Sequence, residues 1–109
     1  PTVTPTPTSN PDAYARLVRL ARSRGVRALV ERERLRLEAV RGALEHMPDH
    51  AGLNYNYACF ATLAGETGDE TFAHLRRSVE LLPRFREDAR RDDDFAAVRD
   101  DPRFEEALR

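Results

Sequence analysis

The sequence holds no tryptophan, no lysine, a single methionine (Met47) and a single cysteine (Cys59). One cysteine excludes an internal disulfide framework and fits a reducing cytosol, so a cytoplasmic location is expected. No apolar run reaches about 18 residues, so no segment is expected to cross a membrane. No charged-then-apolar leader opens the chain, which gives no sign of secretion. The chain starts at Pro1 rather than Met, as a fragment or a processed product would. All eighteen basic residues are Arg, which reads as coding bias in a GC-rich genome more than as a selected surface. The formal net charge of −1 lacks the basic excess of a phosphate-binding face, so nucleic acid is not an expected partner. No alternation of strand type occurs, nor any Gly-rich phosphate loop, Ser-x-x-Lys or paired-carboxylate arrangement. No enzymatic activity, cofactor or metal is therefore expected.

What is present is helical patterning around Leu53–Gly65, LNYNYACFATLAG. Leu53, Tyr55, Tyr57, Cys59, Phe60 and Leu63 surround any helix drawn through this stretch, and Ala58, Ala61 and Ala64 lie between them. A helix apolar nearly all round must be covered on both sides, and its alanines let neighbouring backbones come close. The chain is long enough for one all-α domain, residues 12–109, layered on this helix.

Ahead of it, residues 1–11 (PTVTPTPTSNP) alternate Thr and Pro. Each Pro restricts itself and its predecessor to extended geometry, giving a semi-rigid linker that serves either as a tether or as a frayed end. Asn10 or Asp12 can cap a helix on which Tyr14, Leu17, Val18 and Ala21 share one face. Gly25, after Ser23-Arg24, is the expected stop of that helix. From Val26 the apolar period resumes through Leu29, Val30, Leu37, Val40, Leu44 and Met47 to Pro48, with Glu31–Glu38 (ERERLRLE) as a solvated, mixed-charge face. An uninterrupted helix from Ala13 to Met47 is the alternative. It is disfavoured because no heptad register carries through Ser23-Arg24-Gly25.

Beyond the central helix, Gly65–Gly68 is a turn and Asp69 an expected cap. Phe72, Leu75, Val79 and Leu82 form the core face of the next helix, which Pro83 ends. In the tail, Phe85, Phe95 and Phe104 look like anchors folded back on the preceding layer. Asp92–Asp94 and Asp101-Pro102 read as helix starts more readily than as calcium ligands, because the alternating oxygens and Gly of a calcium loop are missing. His46 and His50 are four apart, but Pro48 between them removes the shared helix face that a metal would need. Cys59 reads as a small core residue.

The two Gly turns and the two Pro stops, Pro48 and Pro83 at 35 residues apart, describe paired helices of one repeat length. Tyr57-Ala58-Cys59 through Ala61-x-x-x-Gly65, then Leu75, Ser78 and Pro83, resemble a tetratricopeptide repeat, with one residue inserted at Glu66–Asp69. Asn56–Gly65 followed by Arg84-Phe85-Arg86-Glu87, Asp94-Phe95-x-x-Val98 and Asp101-Pro102-Arg103-Phe104 resemble the variant that closes such arrays. Thr71 and Ser78 replace the expected alanines. In the preceding segment Arg36 stands where a small residue is usual.

The resemblance implies a short solenoid of two hairpins, residues 12–48 and 53–83, closed by a capping tail, residues 84–109. It also implies a protein-interaction role, through a groove lined by Ala15, Arg19 and Arg22 from the first hairpin and Tyr55, Cys59 and Thr62 from the second. Arg19 and Arg22 would favour an acidic protein or peptide. Two hairpins fall short of the roughly three repeats usual for independent stability, so self-association as a homodimer, or service as the structural C-terminal cap of a larger enzyme or regulator, is the alternative.

Overall fold

Pro48, Gly65 and Pro83 divide the chain where the sequence expects, and Gly25 does not. The computed structural model describes residues 11–109, with side chains described from Arg24 onward. The elements in order are α1 (Pro11–His46), α2 (Ala51–Leu63), α3 (Asp69–Leu81), α4 (Phe85–Arg91), a 3₁₀ segment (Asp93–Val98) and α5 (Pro102–Leu108). No strand occurs among the described residues, and none of their helices is long and apolar enough to cross a membrane.

The expected first hairpin is replaced by one 36-residue helix running straight through Gly25. Gly25 lacks the positive φ of a helix-ending glycine; among the described residues only Gly65 has one. The reason is local: Ser, Arg and Gly are all tolerated inside a helix, and Gly lowers its stability without forbidding it. The expected cap at Asn10 or Asp12 lies outside the residues whose side chains are described.

α2 starts on His50, whose Nδ1 accepts from the Leu53 amide at 3.1 Å. It stops at Gly65 (φ 81°), where the Glu66 amide reaches the Ala61 carbonyl at 2.8 Å and the Gly65 amide reaches that of Thr62 at 3.1 Å. That pair of bonds satisfies the orphan carbonyls of the last turn, and the left-handed residue it requires is cheapest as Gly. α3 begins at Asp69 with Gly68 in the capping position. The Asp69 carboxylate makes no cap and instead takes Arg103 Nη1 at 3.0 Å.

Packing follows the all-round apolar character of α2. Tyr57 and Ala61 face Leu37, Val40 and Leu44 of α1. Tyr55, Ala58 and Cys59 face Phe72, Leu75 and Val79 of α3 together with Ala89, Phe95, Val98, Phe104, Ala107 and Leu108 of the tail. Tyr57, Ala58 and Ala61 are 2%, 0% and 0% exposed, so α2 is the middle layer.

Thr71 and Ser78, both buried, donate to the Glu66 and Leu75 carbonyls at 2.6 Å each. A hydroxyl bonded this way fits where an alanine was expected, because no donor is left unsatisfied. The tail anchors as expected: Phe85 stacks on Tyr55 at 4.5 Å between centroids, and Phe95 lies 5.5 Å from Phe104. Asp101 accepts from the Arg103 amide, with Pro102 at the first helical position of α5. Arg103 then ties α5 to α3 through Asp69, the Thr67 carbonyl and the Phe72 ring, 4.5 Å below its guanidinium carbon.

Truncating a fully buried Phe leaves a cavity that helices pinned on both sides cannot close. Phe95→Ala and Phe104→Ala should each lower unfolding free energy by about 3 kcal/mol in urea titrations. A loss below about 0.5 kcal/mol for both would show that the tail does not share the core.

Candidate functional site

The stripe Val26, Leu29, Val30, Leu37, Val40 and Leu44 runs along α1, broken only by Glu33, but α2 is shorter than α1 and covers only its C-terminal part. Val26 and Leu29 are left 58% and 53% exposed. Phe60 and Leu63, on the last turns of α2, sit across from them, and Leu63 is 38% exposed. Between the two helices runs an open groove of about 480 Å³, floored by these side chains and walled by Arg32, Glu33, Arg36 and Asp94. Exposed large aliphatic residues gathered in one concavity are unlike the single surface Leu that most proteins carry, such as Leu35 here.

The charged wall is arranged around Glu33. This residue was expected on the solvated face, yet it is 5% exposed, because it occupies the stripe position between Val30 and Leu37. Its Oε1 accepts from Arg32 Nε at 3.3 Å and Arg36 Nη1 at 3.2 Å. Its Oε2 is buried with no hydrogen-bond partner among the described residues. Arg36, the residue unusual for the repeat pattern, pairs with this carboxylate and lies 5.9 Å over the Phe60 ring. Burial and the negative charges of Asp92, Glu33 and Asp93 raise the Asp94 carboxyl above the usual carboxylate range.

Behind the groove lies a half-buried polar cluster. Tyr55 donates its hydroxyl to Asp92 Oδ2 at 2.8 Å, and the Asp94 amide donates to Asp92 Oδ1 at 3.0 Å. Cys59 Sγ is 3.9 Å from Asp92 Oδ2. One donor atom each from Cys59, Asp92 and Asp94 lie within 4.8 Å of one another, a spacing compatible with a metal ion. The donor set argues for a cap instead: both Asp92 oxygens are already engaged, and the Cys59 thiol is pushed up by burial and by the Asp92 and Asp94 carboxylates. A thiol held protonated in this way is neither a good ligand nor a nucleophile.

The expected groove residues separate. Tyr55, Cys59 and Thr62 are all buried. Tyr55 and Cys59 lie beneath the tail that folds back over α2, and Thr62 turns its hydroxyl to the Ala58 carbonyl at 2.8 Å. They do not form a surface that a partner can reach. Ala15, Arg19 and Arg22 lie on α1, but their side chains fall outside the described residues. The sequence offered a signal for the groove that does form: Glu33 interrupting an apolar stripe, and Leu63 at the end of a largely apolar helix.

His74 closes the opposite side of α2. Asn54 Nδ2 donates to the Pro48 and His50 carbonyls, leaving Oδ1 to accept from His74 Nδ1 at 2.8 Å. Burial lowers the His74 pKa below its usual value, against the attraction of Glu70.

No protein-family model matches the chain, and no curated protein or solved structure matches it significantly.

Two outcomes follow from these environments. Thiol labelling of Cys59 at pH 8 should be at least about 100-fold slower in the folded chain than in urea; equal rates would show the thiol open to solvent. The depressed pKa of His74 means that the unfolded chain takes up its proton first. Its contribution is therefore present above about pH 6.5 and lost as pH falls through the folded value. Urea midpoints measured from pH 7 to 5 should fall less steeply for His74→Gln than for the wild type.

Proposed function

We propose that the chain is a non-enzymatic protein-interaction module, a short tetratricopeptide-like helical stack closed by its C-terminal cap, which binds a protein or peptide helix between α1 and α2. The observation that carries this reading is the groove itself. Val26, Leu29 and Leu63 stand exposed around Phe60 on a stack whose other large apolar residues are mostly covered. Helix-in-groove binding uses such a surface, with apolar anchors at helical spacing and charged walls that fix register. Arg32, Arg36, Glu33 and Asp94 provide walls of both signs, so the partner favoured is an amphipathic helix carrying charge of its own rather than the purely acidic segment expected from Arg19 and Arg22.

The resemblance of Asn56–Gly65 and of the tail to an array-closing repeat supports the same role. The alternative, a structural cap or homodimerisation element of a larger protein, is favoured by the length of α1, which at about 54 Å far exceeds α2.

Affinity capture from an extract of the source cells should recover a partner with the wild-type chain and with Leu35→Glu. Leu29→Glu should lose it, because a charge placed on the groove floor costs most of an apolar anchor's contribution, commonly more than tenfold in affinity. Identical capture by all three chains would reject the groove as the binding surface.

A further inference from the structure

α1 is unbroken at the residue best suited to end it. Gly25 lies in the helix interior without a positive φ, so the segment before it continues the axis and does not fold back onto the groove formed by Val26, Leu29 and Val30. By sequence that segment is amphipathic, with Tyr14, Leu17, Val18 and Ala21 on one face. It is also basic: Arg16, Arg19, Arg22 and Arg24 against the single acid Asp12.

We infer that the groove is filled by residues 12–24 of a second copy of this chain. The exchange is reciprocal, giving a two-fold dimer in which the two α1 helices run antiparallel and cross near Gly25. This rests on the interaction reading above and names its partner.

Three observations select this occupant. The apolar face at residues 14–21 is of the kind the floor at Val26, Leu29, Phe60 and Leu63 lacks. An antiparallel crossing at Gly25 sets Ala21 level with Leu29 and Leu17 level with Glu33 of the other copy. The charge also matches at Asp94, because the Arg-bearing segment then runs beside this carboxylate, whose charged neighbours Asp92, Glu33 and Asp93 are all acidic, while Arg32 and Arg36 are already engaged by Glu33. Third, a hairpin closed at Gly25 and an exchanged dimer use the same contacts and differ only at the hinge. A hinge that stays helical therefore favours exchange over closure. A Cβ at Gly25 meets nothing within 4 Å in the single chain.

Sedimentation equilibrium on the full chain, from about 1 to 100 µM, tests the proposal. The wild type should be dimeric. Gly25→Ala, which strengthens the straight helix, should leave the dimer at least as tight. Leu29→Glu should weaken it at least about tenfold with unchanged helical circular dichroism, and Leu35→Glu should not. Oxidation of the double variant Ala21→Cys with Val30→Cys should give a disulfide-linked dimer on a non-reducing gel. A monomeric band carrying an internal disulfide, or a wild-type monomer across the concentration range, would overturn the exchange. If that monomer still loses a captured partner on Leu29→Glu, the second copy is excluded and the interaction reading stands. If capture is unaffected as well, both fall.

Discussion

α2 must be covered on two opposite faces, and most of the molecule answers that constraint. Of its seven buried residues, five are directed to two separate clusters: Tyr57 and Ala61 toward α1, Tyr55, Ala58 and Cys59 toward α3 and the tail. Alanine at positions 58 and 61 sets how closely the flanking helices approach, because a larger side chain there would hold the layers apart. A single helix alone or a single hairpin would leave one of these faces in water. The stack therefore needs α1 on one side and the folded-back tail on the other.

The tail achieves this with little regular structure. Two aspartate caps, Asp92 and Asp101, start the 3₁₀ segment and α5. Asp92 additionally accepts the Tyr55 hydroxyl, so one carboxylate sets both the start of a turn and its position over α2. Arg103 joins the Asp101 cap to Asp69 and Phe72, and Arg86 reaches the Leu108 carbonyl. Short helices of seven residues have little stability of their own, so this cross-bracing and the three Phe anchors hold them in place. The covering of Tyr55 and Cys59 by the tail is also what closes the face on which a repeat groove was expected.

The opposite edge is left unfinished. α1 continues beyond the reach of α2, and its stripe carries Val26 and Leu29 into solvent beside Glu33, which is buried and only half satisfied. The two arginine partners of Glu33 offset the cost of burying that charge, while the Oε2 atom without a hydrogen-bond partner among the described residues adds to it. The groove thus joins exposed apolar area to a cluster of charges of both signs, in which Arg32 and Arg36 already pair with Glu33.

The all-α class, the middle position of Tyr57, Ala58 and Ala61, the turns at Pro48, Gly65 and Pro83, and the three Phe anchors were legible in the sequence. Each depends on local signals: helical periodicity, a left-handed glycine, a missing amide. The course of α1 through Gly25 was not, since glycine permits a stop without requiring one, and the outcome depends on what the two halves of the helix can pack against. Neither was the groove legible, because burial of Glu33 and exposure of Leu29 and Leu63 follow from where α2 ends relative to α1. Relative length and crossing of two helices exist only once the layers are assembled. Residue order determined the elements and their core faces, and tertiary packing decided which face was sealed and which was left open.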